Sequence, residues 1–142
     1  MQETASPVTV LDAARSWDLL AGQQLGRIFF PVDGRPEIFP VNYVVDGESL
    51  IFRTAEGTKL DGVVNAQRVA FEVDTWDTDY GYSVVVRGVA NPIADAAEIA
   101  RAEALRLRPW IPTVKTTFVR VTVDEINGRQ FAFGLDPVEK YR

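Results

Sequence analysis

The chain of 142 residues contains no cysteine and no histidine, and its single methionine is Met1. Without cysteine there is no disulfide, no thiolate nucleophile and no Cys-ligated zinc in any redox compartment. Without histidine the commonest metal ligand and the commonest general base are both missing, and with them every Ser-His and Cys-His arrangement. Any catalytic chemistry must therefore come from a cofactor. Positive charge is also scarce: 15 Lys and Arg stand against 20 Asp and Glu, for a formal net charge of −5. That balance argues against a surface built to neutralise a phosphate backbone, so no nucleic-acid partner is expected. No apolar run approaches the ~20 residues that a membrane-spanning helix needs. Residues 1–10 have neither the basic start nor the apolar stretch of a signal peptide. The expectation is a cytoplasmic protein without a membrane partner.

What is present is ordinary globular material, with 46% hydrophobic and 25% charged residues, so one folded core is expected and not a disordered or repetitive chain. The length suits one domain spanning residues 1–142 and is too short for two of usual size. Residues 1–10 read as a flexible tail. Residues 11–21 space Leu11, Ala14, Trp17 and Ala21 at helical intervals, with Gly22 placed as a C-terminal cap. Residues 26–31 and 37–46 turn β-branched and aromatic around an Asp33-Gly34 hairpin signal, and Asp46-Gly47 leads into a third strand, 49–54.

Residues 67–75 alternate, placing Val69, Phe71 and Val73 on one side and Arg68, Ala70, Glu72 and Asp74 on the other, as a half-buried strand requires. Residues 82–91 read as another long strand. Asp95 and Glu98 open a second helix whose period runs to Leu107 before Pro109. Residues 117–126 return to β, and Asn127-Gly128 predicts a hairpin into residues 130–133. Six or seven strands in successive hairpins, with few helices, predict a mainly β domain with minor α: a small antiparallel barrel rather than a parallel α/β sheet.

The segment richest in chemistry is residues 51–60, a strand ending in Arg53 and Thr54 followed by a turn containing Thr58 and Lys59. Thr58 is placed to cap a short helix through Val64, setting free backbone N–H groups and a positive dipole end beside Lys59. Arg53 supplies a planar bidentate donor and Lys59 a point charge, a set suited to a phosphate monoester. The alternative is a pair of solvated surface charges flanking an ordinary cap. Elsewhere Glu72 and Asp74 share a strand face and read as solvated carboxylates rather than an acid–base pair. Asp74, Asp77 and Asp79 lack the ordered ligand spacing of a calcium loop, so no metal is assigned.

Several motifs keep their order and spacing along the chain: Leu25-Gly26-Arg27-Ile28, Pro40-Val41-Asn42-Tyr43, Phe52-Arg53-Thr54, Gly57-Thr58-Lys59-Leu60, residues 69–74, Gly81-Tyr82-Ser83-Val84 and Pro109-Trp110. On these the run from Leu25 to Gly128 resembles the pyridoxamine 5′-phosphate oxidase-like family of FMN-binding split barrels, especially its short actinobacterial members. The resemblance implies a six-stranded split barrel that forms a homodimer, with two FMN molecules in clefts along the dimer interface. It implies a phosphate held by Arg53, Thr54, Thr58 and Lys59. It places Val41, Asn42 and Tyr43 near the isoalloxazine, with Ser83 a further candidate and Trp110 reaching the flavin of the opposite subunit. Each position has a plainer reading. Asn42 could satisfy a neighbouring backbone group, Tyr43 could belong to the core and Trp110 could pack beneath its own loop.

Departures from the family narrow the implied activity. The absence of histidine argues against haem degradation and His-dependent nitro-group reduction. No second basic set is present for a substrate phosphate, which argues against oxidation of vitamin B6. An FMN-dependent oxidoreductase acting on a small-molecule substrate is the leading expectation. The alternatives are a flavin carrier or sensor without turnover, a deazaflavin-dependent reductase, and a cofactor-free interaction module using Trp17, Trp76 and Trp110. The compact Arg53, Thr54, Thr58 and Lys59 set favours FMN over the deazaflavin coenzyme, because no longer basic track follows it for a polyglutamate tail.

Overall fold

The computed structural model describes residues 7–55, 57–105, 107 and 117–134. In chain order the elements are β1 (Val8–Leu11), α1 (Ala13–Ala21), β2 (Leu25–Val32), β3 (Arg35–Asp46) and β4 (Ser49–Thr54). They continue with α2 (Thr58–Ala66), β5 (Arg68–Trp76), β6 (Tyr80–Pro92), α3 (Ala96–Ala104) and β7 (Thr117–Ala132). Every strand pairing is antiparallel, in the order β1-β7-β4-β3-β2-β5-β6, and a further pairing of β6 with β7 closes the sheet into a ring. The mainly β barrel expected from the hairpin pattern is therefore present, with seven strands.

The long strand β7 makes the closure. On one side it pairs with β6 from Val119 to Ala132, with one register shift beside Arg87 and Gly88. On the other it pairs first with β4, over Thr117–Thr122, and then with β1, over Gly128–Phe131. Alternation along each strand sends one set of side chains inward. Ile28, Tyr43, Phe52, Phe71, Val84 and Val119 are among those that fill the interior, with Val63 of α2 and Leu20 of α1 added from the ends. A second cluster lies outside the ring, where Ala102 and Ile99 of α3 pack against Ile51 and Phe118.

Sequence patterning located most elements, and several expectations need correction, among them the first helix, which starts at Ala13 and leaves Leu11 in β1. Residues 8–10, read as tail, belong to β1, because β4 ends partway along β7 and leaves an edge for another strand to cover. The second predicted helix stops at Ala104, not Leu107; Leu107 instead packs on the outer cluster. Asn127-Gly128 does not turn. A two-residue I′ hairpin turn requires positive φ at both residues, as Asp33 and Gly34 show at 50° and 77°, whereas neither Asn127 nor Gly128 has positive φ. Both are paired with β6, and Gly128 also opposes Leu11. Glycine is needed there for close approach: a Cβ would lie 2.2 Å from Ser16 Oγ of α1. Ser16 is itself fixed, since its hydroxyl donates to the Asp12 carbonyl at 2.8 Å.

The β3–β4 turn is clamped by charge. Arg101 of α3 reaches Asp46 at 2.7 Å and Arg120 of β7 reaches it at 3.0 Å, while Arg120 also donates to Ser49 Oγ at 2.6 Å. Burial pushes the Asp46 carboxyl upward, but hydrogen bonds and charge from the two arginines outweigh it and hold the pKa below its usual 3.8.

Two predictions arise from this architecture. Gly128→Ala should lower stability by about 1–3 kcal/mol in urea unfolding through overpacking against Ser16; unchanged stability would mean that α1 can move away freely. A carboxyl with a lowered folded pKa stabilises the fold above its unfolded pKa, and that contribution is lost as pH falls through the folded value. Asp46→Asn should therefore be less stable than the parent at neutral pH and lose less stability on acidification below about pH 4. Parallel urea midpoints measured across that range would show the difference.

Candidate functional site

The site is built where β4 ends and α2 begins. Arg53 and Thr54 are consecutive on a strand, so their side chains must take opposite sides of the sheet. Arg53 faces out and is exposed, whereas Thr54 is buried and its hydroxyl donates to the Ala55 carbonyl at 3.3 Å. The Arg53 guanidinium carbon stands 4.7 Å from the centroid of the Phe118 ring, its partner directly across the β4–β7 ladder. Phe118 is buried beneath α3 and cannot move aside readily. This cation–π contact orients Arg53 while leaving its N–H edge exposed. Among the described residues no carboxylate lies within 4.0 Å of Arg53.

Gly57 is the N-cap of α2, with φ 145° and ψ −163°, a conformation that glycine alone tolerates readily. The expected Thr58 cap is therefore corrected: Thr58 is the first residue of the helix, and the first intrahelical bond runs from Asp61 N–H to the Gly57 carbonyl at 3.0 Å. The first-turn N–H groups point out of the helix end, where the dipole favours an anion. Lys59 lies in that turn, its Nζ 5.7 Å from the Phe39 centroid. Phe39 in turn stacks on Phe30 at 5.7 Å. Each of the two cations thus stands over an aromatic ring supplied by another strand, which the sequence motif alone did not disclose.

The strand assigned to the isoalloxazine divides by alternation. Val41 and Tyr43 point into the barrel and are only 4% exposed. The Tyr43 hydroxyl donates to the buried Leu20 carbonyl, and its ring meets Phe71 edge-on at 4.7 Å. Burial holds the phenol well above its ordinary pKa. The core reading of Tyr43 is the correct one for its side chain, and these two residues can offer an outer ligand only backbone. Asn42 faces out and donates through Nδ2 to the Gln24 carbonyl at 3.3 Å, an acceptor that also receives the Tyr43 N–H at 3.1 Å. The β2 entry is thereby tied to β3.

Ser83 lies on the outer face of β6 opposite Arg129, whereas Arg53 lies opposite Phe118. These two β7 positions are eleven residues apart, on the order of 35 Å along the strand. Within the chain the structure does not bring Ser83 together with Arg53. Trp110 and the Thr58 side chain lie outside the described residues.

The acidic positions resolve into structural roles. Glu72 and Asp74 both bind Arg27, at 2.9 and 3.1 Å. They form an ion-paired outer face, not the merely solvated one expected. Partial burial raises the Glu72 pKa first, hydrogen bonding and charge from Asp74 raise it further, and Arg27 opposes both. Asp77 Oδ1 accepts the N–H groups of Asp79 and Tyr80 at 2.8 and 2.7 Å, which fixes the β5–β6 turn.

With this geometry established, comparison with known proteins places the chain. Residues 12–130 match the family model described as pyridoxamine 5′-phosphate oxidase, and the chain belongs to that family. An uncharacterized protein of Mycobacterium tuberculosis is 43% identical over 94 residues, covering 66% of this chain and 86% of the relative. Among solved structures, an FAD binding protein from Mycobacterium smegmatis is 45% identical with a TM-score of 0.78, covering 88% of this chain and 99% of the other. A conserved protein of unknown function from Corynebacterium diphtheriae is 41% identical with a TM-score of 0.77, covering 89% and 99% respectively. No helix among the described residues is long and apolar enough to cross a membrane.

The placement of Tyr43 yields a direct test. Tyr43→Phe should lose about 1–2 kcal/mol of stability, because a buried carbonyl is left without its donor. Urea unfolding at neutral pH measures it; an unaltered midpoint would show that the Leu20 carbonyl finds another partner.

Proposed function

We propose that this chain is a flavin-binding oxidoreductase that works as a homodimer on a small-molecule substrate. The observation that carries the proposal is Arg53, oriented over Phe118 with no carboxylate within 4.0 Å among the described residues. Lys59 and the N-terminal turn of α2 follow it directly. The charged and N–H groups of this set are hydrogen-bond donors, and a phosphate offers only acceptors and negative charge. The residues fit a flavin phosphate. Thr54, whose hydroxyl is turned to its own chain, contributes least as it stands.

FMN is the flavin proposed, since the donor set is compact and suits one terminal phosphate. FAD is the second reading, favoured by the 45% identical FAD binding protein. The deazaflavin coenzyme serves as the comparison ligand. When bound, the flavin supplies electron or hydride transfer, and the protein supplies binding and orientation. Arg53 and Lys59 hold the phosphate in this scheme, while the backbone of residues 41–43, fixed by the Gln24 carbonyl, faces the ring. A chain without histidine or cysteine fits that division of labour.

The homodimer is supported by the separation of Ser83 from Arg53, since a ligand touching both must lie between subunits. It is supported also by the exposure of Val10, Ile38 and Trp76, at 77%, 53% and 73%. Apolar side chains left on a surface in this way favour association.

The test is the visible absorption spectrum of the purified chain after incubation with FMN, FAD or the deazaflavin coenzyme and removal of unbound ligand. A retained FMN band is expected, together with sedimentation at twice the chain mass. Lys59→Ala should weaken FMN binding by roughly ten- to a hundred-fold, equivalent to about 1.5–3 kcal/mol. Unchanged affinity in the variant would move the phosphate elsewhere, and retention of no flavin would overturn the proposal. Reduction of the bound flavin by a nicotinamide nucleotide, followed by reoxidation with an acceptor, would separate an oxidoreductase from a carrier.

A further inference from the structure

Arg53 differs from several other arginines of the barrel wall in what directs it. Arg27 is directed by Glu72 and Asp74, Arg68 by Asp124, and Arg101 and Arg120 by Asp46, all at 2.7–3.1 Å. Arg53 has no carboxylate within 4.0 Å among the described residues. It has a ring instead, with its guanidinium carbon 4.7 Å from the Phe118 centroid. The difference matters for a ligand. A carboxylate occupies the N–H groups that it orients, whereas the face of a ring attracts the guanidinium and leaves its N–H edge for another acceptor.

The ring is itself fixed. Phe118 is only 4% exposed and is buried with Ile51, Ile93 and Ala102 beneath α3. Its carbonyl accepts the Ile93 N–H at 2.8 Å, at the start of the connection that leads into α3. Two residues along β7, and so on the same face, Arg120 reaches Asp46 at 3.0 Å, and Arg101 of α3 reaches the same carboxylate at 2.7 Å. The helix that roofs the ring is therefore tied to the strand that carries it. Lys59 is placed less strictly, with Nζ 5.7 Å from the Phe39 centroid. A point charge loses little by turning, but a planar fork must meet phosphate oxygens from a set direction. Orientation thus matters more at Arg53.

We infer that Phe118 is a positioning residue for the flavin phosphate: pinned beneath α3, its ring sets the direction of the Arg53 guanidinium before the ligand arrives. Arginine is long and, when exposed, has many rotamers to lose on binding. A side chain already held in one pose loses fewer, so the same contact yields a tighter complex. The inference rests on the flavin-phosphate reading of Arg53 and extends it to a buried residue beneath the donor. Its effect belongs to the phosphate alone, which FMN carries and riboflavin lacks.

The experiment is a pair of titrations of the purified full chain, with FMN and with riboflavin, followed by quenching of flavin fluorescence. The parent should prefer FMN by at least about ten-fold, and Arg53→Gln should remove most of that preference. Phe118→Leu should weaken FMN about two- to five-fold and leave riboflavin unchanged. Phe118→Tyr, which keeps the ring, should keep the parent preference. In the Arg53→Gln background Phe118→Leu should have no further effect on the ratio of the two affinities. If Phe118→Leu does not fold, 3,4,5-trifluorophenylalanine at position 118 makes the same test, because it keeps nearly the same shape and weakens the negative face of the ring. No binding of FMN, equal binding of FMN and riboflavin by the parent, or a preference untouched by Arg53→Gln would overturn the flavin-phosphate reading and the inference with it. A preference that Arg53→Gln abolishes but that survives in full in the folded ring variants would overturn the inference alone. Equal losses of FMN and riboflavin affinity in Phe118→Leu would do the same, since they mark a merely structural role.

Discussion

The rest of the structure depends on one strand satisfying two neighbours at once. β7 gives the backbone groups on one side to β6 along nearly its whole length and divides the other side between β4 and β1. A sheet of this size left open would present long edges of unpaired N–H and C=O groups, and closure removes them. Closure also defines an inside. Once the ring exists, every strand residue is assigned to the core or the outer surface by its parity, and a slip of one residue would exchange the two sets. Arg53 outside and Thr54 inside, Asn42 outside and Tyr43 inside, are consequences of that single constraint.

The polar features follow from the same assignment. The Asp46 clamp joins the β3–β4 turn to α3 and β7, and with the buried contact of Ile51 and Phe118 it holds α3 on the outer wall. That wall includes the ring beneath Arg53, so a helix with no residue in the candidate site helps to orient the site's main cation. Tyr43 performs the corresponding task inside, tying Leu20 of α1 to β3.

Legibility in the sequence varied with how local the cause was. The Asp33-Gly34 hairpin, the alternation of residues 67–75 and the Asp95 cap were all readable, because each is set by neighbours within a few positions. The Asn127-Gly128 pair misled because its local turn preference is overruled by pairing with two strands distant in the chain, β6 and β1. Residues 8–10 were misread for a related reason, since nothing nearby shows that an exposed edge awaits them. At the candidate site, Arg53 and Lys59 were legible as donors near a helix start. Phe118 and Phe39 beneath them were not, because register and packing bring them from other strands.

By itself the sequence determined the chemistry that was excluded, through missing cysteine and histidine, and the kind of fold, through strand period and turn residues. It also placed the cation-bearing turn. Composition and short-range pattern carry that information because they act through backbone geometry and through side chains a few residues apart. Tertiary structure alone decided which side chains face the core and that Ser83 and Arg53 stand far apart. These depend on pairing between residues far apart in sequence, and such pairing is fixed only when the ring closes and the apolar parity of all its strands must agree.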